Sequence, residues 1–161
     1  MANKRIVFLD IDGCLNTRSS RTRCNGCVGI DSNKLELLKI IVIATGAEVV
    51  LTSTWKTNWE RLPERKHLQD IYATYLDKKF KSAGLKVADK TANCRDGVWF
   101  SRGESILDFV DKHQPRDFVI LDDKSFDYDG CGLTDNFIKL DEKVGLTNER
   151  VEQAIKILKK R

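Results

Sequence analysis

A chain of 161 residues with 41% apolar side chains can bury one core and leaves no length for a second substantial domain, so a single domain over 1–161 is expected. No run approaches 18 apolar residues, Met1 to Arg5 carry no signal-peptide apolar stretch, and an odd count of five cysteines fits reduced thiols, which together point to a soluble cytoplasmic protein. The net charge of +4 permits an anionic partner without requiring one.

Ile6 to Leu9 form a short run of β-branched, aromatic and aliphatic residues and predict a buried strand that stops at Asp10, Asp12 and Gly13. Two aspartates two apart in extended chain project to one side, where they can share a metal or a phosphoryl group. Residues from about 14 to 30 show little periodicity and read as a flap beside that strand end, carrying Arg18, Arg21 and Arg23. Cys24 and Cys27 have the spacing of half a zinc knuckle, but a structural site needs four ligands and no second pair follows. Cys14, Cys94 or Cys131 could complete one only if the fold converged them.

Asp31 or Ser32 caps a helix with Leu35, Leu38, Ile41 and Val42 on one face and Gly46 at its end. Ala47 to Leu51 predict a second buried strand, ending in Thr52, Ser53 and Thr54. Leu68, Ile71, Tyr72, Tyr75, Leu76, Phe80 and Ala83 trace a helix whose aromatic residues fall on the core repeat, and Leu85 to Ala88 predict a short third strand. His67 and His113 stand alone and read as solvated. Ser101 and Glu104 form a capping-box pattern opening a helix with Ile106, Leu107 and Val110 buried, which places Arg102 at a helix start. Pro115 ends that helix, and Asp117 to Leu121 predict a strand that again stops in paired carboxylates, Asp122 and Asp123. Further acids, Asp127 and Asp129, precede a glycine loop; Phe137 to Leu140 predict a last strand, and Thr147 caps a terminal helix.

Strands alternating with helices imply an α/β fold with a doubly wound, mainly parallel sheet and its motifs at the carboxyl edge. The oxygen-only set Asp10, Asp12, Asp122 and Asp123 suits a hard cation, and magnesium is the expected one.

The motif Phe8-Leu-Asp-Ile-Asp-Gly-Cys-Leu-Asn16, followed in order by Leu51-Thr-Ser-Thr-Trp55, Arg102-Gly-Glu-Ser-Ile106, Val119-Ile-Leu-Asp-Asp123 and Gly145-Leu-Thr147, resembles the haloacid dehalogenase-like (HAD) hydrolases over nearly the whole chain. Within that superfamily it is similar to small members without a large cap, namely the HAD domains of nucleic-acid repair proteins and the phosphatase half of polynucleotide kinase-phosphatases. The resemblance implies a magnesium-dependent phosphomonoester hydrolase. Asp10 would be the nucleophile forming an aspartyl-phosphate, Asp12 the acid and base, Thr52 and Arg102 the phosphoryl-binding residues with Ser53 as a second donor, and Asp10, Asp12, Asp122 and Asp123 the metal set. Lys90 is the alternative to Arg102. The implied substrate is the terminal phosphate of DNA or RNA, with Arg18, Arg21 and Arg23 along its backbone. A small-molecule phosphatase and a non-catalytic nucleic-acid-binding module are the other readings. Cys14 stands where the family usually has Thr or Val, and no P-loop signals a kinase half.

Overall fold

The computed structural model describes residues 2–160. The first strand, β1, spans Arg5–Leu9 and is followed by a two-strand hairpin, β2 (Arg23–Cys24) and β3 (Cys27–Val28). Helix α1 (Ser32–Thr45) leads to β4 (Glu48–Leu51), and α2 (Ile71–Ser82) leads to β5 (Val87–Lys90). A second small hairpin, β6 (Cys94–Arg95) with β7 (Val98–Trp99), precedes α3 (Arg102–His113). The chain then forms β8 (Asp117–Asp122), β9 (Phe137–Lys139) and α4 (Asn148–Leu158).

Five strands make one parallel sheet in the order β5-β4-β1-β8-β9. The chain winds outward from β1 to one edge, then crosses back through α3 to β8 on the other side of β1. The direction of winding therefore reverses between β1 and β8, and such a reversal opens a crevice beyond the carboxyl ends of the two strands. This is the doubly wound architecture expected from the alternating elements, and among the described residues it carries no cap domain. No helix there is long and apolar enough to cross a membrane.

The middles of the three central strands β1, β4 and β8 are apolar because both sheet faces are covered there. Val7, Leu9, Val49, Leu51, Val119 and Leu121 face one core with Leu35, Leu38 and Ile41 of α1, Leu76 and Phe80 of α2, and Val151 and Ala154 of α4. The alternate residues Ile6, Phe8, Val50 and Ile120 face a second core with Ile106 and Phe109 of α3 and with Tyr128. A one-residue slip of β1 would exchange these two sets, so its register is held from both sides.

Several local details depart from the sequence reading. Asp31 occupies the N-cap position of α1 but makes no cap bond; its carboxylate accepts from the Ser20 and Thr22 hydroxyls and so ties down the flap. Leu68 belongs to a 3-10 segment, Pro63–Leu68, and α2 begins only after Asp70, whose side chain accepts from Ala73 N–H. Strand β5 lies two residues later than expected, because Leu85 N–H still bonds to Phe80 O in the turn that ends α2. Cys24-Asn-Gly-Cys27, expected only as part of an aperiodic flap, is the turn of a hairpin. Asn25 and Gly26 both have positive φ, as a two-residue type I′ turn requires, and Asp96 with Gly97 repeat the device. His113 is half-buried and stacks on Phe109, with ring centroids 4.2 Å apart.

Candidate active site

The hydrogen-bond ladder continues one step past the strand ends and sets the site in place. Asp10 N–H donates to Leu121 O, Thr52 N–H to Leu9 O, and Thr91 N–H to Leu51 O, each at 3.0 Å. Asp10, Thr52 and Thr91 therefore stand side by side on the carboxyl edge, with Asp122 ending the neighbouring strand β8 and Asp123 just beyond it.

Asp10 is nearly buried, and Arg102 NH1 lies 3.5 Å from its Oδ1. Burial pushes its carboxyl up to about 7, the Asp122 charge adds to this, and Arg102 opposes it. Asp12 is exposed and its carboxylate is doubly oriented. Its Oδ1 accepts from Asn16 Nδ2 at 2.9 Å and its Oδ2 from Trp55 Nε1 at 3.1 Å. Asn16 also bonds Gly13 N–H and Gly29 O, which locks the turn after β1 to the flap. Gly13 has φ +79°, and a Cβ there would stand 2.6 Å from the Asp123 carboxyl carbon. Only glycine lets this turn pass so close to Asp123.

The paired acids after β8 have different surroundings. Asp122 is fully buried; Oδ1 accepts from Lys124 N–H and Oδ2 from Tyr128 O–H at 2.7 Å, with Arg102 NH1 at 3.8 Å. Burial raises its pKa. Asp123 is half-exposed and faces Asp10. A carboxylate oxygen from each of Asp10 and Asp123 and the Cys14 sulfur lie within 4.8 Å of one another. The Cys14 thiol is buried, held protonated by burial and by the Asp10 charge, and directed at Leu121 O, so the oxygens are the donors that count. Two hard carboxylates with room for water fit magnesium, which binds through one or two carboxylates and keeps several waters. Of the expected set, Asp12 turns its carboxylate toward Asn16 and Trp55, and Asp122 already has both oxygens engaged.

Arg102 sits at the first position of α3, where Ser101 and Glu104 form the expected capping box. Asp127 holds this helix start, accepting from Ser101 O–H and from Gly103 N–H at 2.8 Å. The guanidinium lies over the Phe126 ring at 4.5 Å. Lys90, the alternative basic residue, spends its ammonium on Lys56 O and Trp59 O and stays out of the carboxylate cluster. The Thr52 hydroxyl is buried with no hydrogen-bond partner, as is Arg102 NH1. Ser53 is buried with its hydroxyl accepting from Trp55 N–H.

Hollows flank Asp12 on two sides. One, of about 430 Å³, runs past Trp55, Asn58, Asp70 and Tyr72 to Cys27. The other, of about 250 Å³, is lined by Asn16, Arg18, Asp123 and Lys124. Of the three flap arginines only Arg18 reaches this groove; Arg21 is exposed, and Arg23 folds back onto Ser20 O and Thr22 O. Tyr72 lines the first hollow rather than the core, with its ring edge-on to Trp55, whereas Phe80 is buried as expected. Among the described residues Cys24 and Cys27 join no group of three or more metal-binding side chains. The roles of four contributors escape the sequence reading: Asn16 and Trp55, which close two of the motif stretches and orient Asp12; Tyr128, which holds Asp122; and Lys56, a buried lysine lining the same hollow as Thr52. None lies in a pattern that local spacing distinguishes from an ordinary turn or helix residue.

The profile of the HAD domain in Swiss Army Knife RNA repair proteins matches residues 6–151. The chain belongs to that family. Neither a curated protein nor a solved structure matches this HAD domain. The matched span runs from β1 into α4 and so includes every acid and base described above.

Proposed function

We propose that this HAD domain is a magnesium-dependent phosphatase that removes a terminal phosphate from a polynucleotide through an aspartyl-phosphate on Asp10. The observation that carries the reading is the Asp10 carboxylate, set between Arg102 and Asp123 and beside a buried Thr52 hydroxyl with no partner of its own. Such unspent donors around a nucleophile suit a group that brings its own oxygens, as a phosphoryl does.

Asp10 and Asp123 would hold the magnesium ion, with the backbone carbonyl of Asp12 beside them. Bound there, the ion supplies positive charge that offsets the repulsion between carboxylate and phosphoryl oxygens. Asp10 attacks phosphorus in line while Thr52 and Arg102 take the equatorial oxygens. Asp12, held by Asn16 and Trp55 on the solvent side, gives a proton to the leaving alcohol and then takes one from the water that cleaves the acyl phosphate. Asp122 and Tyr128 position Arg102 from behind.

The absence of a cap among the described residues supports a large substrate, because no further domain covers the two hollows that Asp12 lines. The family's association with RNA repair favours a nucleic-acid end. The test is a panel of phosphate monoesters, mononucleotides and oligonucleotides phosphorylated at the 3′ or 5′ end, assayed with magnesium. Preference for an oligonucleotide end supports the reading, and a preference for mononucleotides or sugar phosphates replaces it with a small-molecule phosphatase. No turnover on any of them leaves a binding module.

A further inference from the structure

Lys56 is only 7% exposed, and its ammonium makes one hydrogen bond, to the neutral hydroxyl of Thr91 at 2.7 Å. An ammonium has three donors and a full charge. Among the described residues no carboxylate forms an ion pair with it. The charges that most influence it are two more cations, Arg102 and Lys90; burial first, then these, lower its pKa to about 8. A buried cation without a counter-charge is costly, and a like charge nearby increases the cost. A methionine would fill the same volume at no such cost.

The lysine also lines a cavity. A hollow of about 200 Å³ is bounded by Thr52, Lys56, Asn93, Ser101, Arg102 and Ser105. Two of its lining residues, Thr52 and Arg102, hold the unpartnered buried atoms noted above, Oγ1 and NH1. One hollow thus collects two cations and a hydroxyl with donors to spare.

We propose that Lys56 is a substrate-contacting residue that, with Thr52 and Arg102, seats the oxygens of a phosphate group. Three donors of different geometry around one hollow suit a tetrahedral oxyanion, whose several oxygens can each take one, better than a planar carboxylate. The ligand is the phosphoryl group of the ester before transfer and inorganic phosphate after release. This inference rests on the phosphatase reading only for which anion matters in turnover; the buried Lys56 ammonium without a carboxylate partner stands without it.

The experiment titrates inorganic phosphate, in chelator and at neutral pH, into the Asp10→Asn protein and into the same protein carrying Lys56→Met or Lys56→Gln. Loss of a charge-assisted contact should weaken phosphate binding by roughly tenfold to a hundredfold in both. The thermal midpoint without phosphate should hold or rise, since a buried charge has been removed. Glutamine can still reach Thr91, so it keeps the fold if methionine does not. Unchanged phosphate affinity in Lys56→Gln would overturn the proposal. So would lost affinity with a phosphate-free midpoint several degrees lower in Lys56→Gln, because that marks the lysine as a strut. Phosphate binding through Lys56 with no turnover on the ester panel would remove the phosphatase reading and leave the anion seat. Turnover with full phosphate affinity in Lys56→Gln would do the reverse.

Discussion

Replacing Asp10, the proposed nucleophile, should make the metal-free protein more stable while abolishing the proposed turnover. Asp10 has an ordinary carboxyl value of 3.8 in the unfolded chain and about 7 in the folded one, raised first by burial and then by Asp122. A folded value above the unfolded one means that the stabilising effect of the proton is complete below 3.8 and is lost as pH rises through about 7. Asparagine is neutral at every pH, so Asp10→Asn avoids that loss. At about 1.4 kcal/mol per pH unit the gap sets a ceiling of about 4 kcal/mol, reached above the folded value. Local relaxation will reduce this, and about 2 kcal/mol corresponds to roughly 4–8 °C in midpoint for a domain of this size. The assay is thermal unfolding of both proteins in chelator at several pH values from about 4 to 8. The midpoints should coincide at the acid end and separate toward pH 8, and magnesium should narrow the separation by neutralising the wild-type carboxylates. A gap that does not change with pH, or an Asp10→Asn protein no more stable at pH 8, would refute the electrostatic account of the site.

Activity should vanish in chelator and return with magnesium, as steady-state rates on a phosphate ester will show; full activity after exhaustive metal removal would exclude Asp10 and Asp123 as working metal ligands. Gly13→Ala should reduce turnover at least tenfold, since the added Cβ must displace the Asp123 carboxylate, and rates near wild type would show that the turn yields. Tyr128→Phe should cost about 1–3 kcal/mol in denaturant unfolding, because it leaves an oxygen of the buried Asp122 without its donor. Arg18→Ala should raise KM for an oligonucleotide alone and lower the salt slope by about 0.7 in log K per log salt, the share of one phosphate on a single strand, whereas Arg21→Ala and Arg23→Ala should change neither.

Wherever the sequence alone sufficed, the cause was local. A short apolar run rich in β-branched residues and bounded by turn signals reads as a buried strand, and β1, β4 and β8 were legible as such. The Ser101 and Glu104 capping box closes within four residues, so it placed Arg102 at a helix start without any tertiary information. The acids and hydroxyls that end β1, β4 and β8 were legible for the same reason, and the common order of those motifs revealed the family. The type I′ hairpin at Asn25 and Gly26 was equally local, but it was read only as part of an aperiodic flap. What the chain pattern could not contain is who faces whom across the carboxyl edge. Asp122 and Asp123 are adjacent and identical in composition, yet the pleat turns one into the core against Tyr128 and the other toward Asp10. Lys56 and Lys90 differ from any surface lysine only because β4 and β5 lie side by side, which buries one ammonium against Thr91 and spends the other on loop carbonyls. Local sequence chooses elements because backbone and cap energies act over a few residues, whereas burial and charge at a site depend on neighbours from distant strands, and only the folded sheet brings those together.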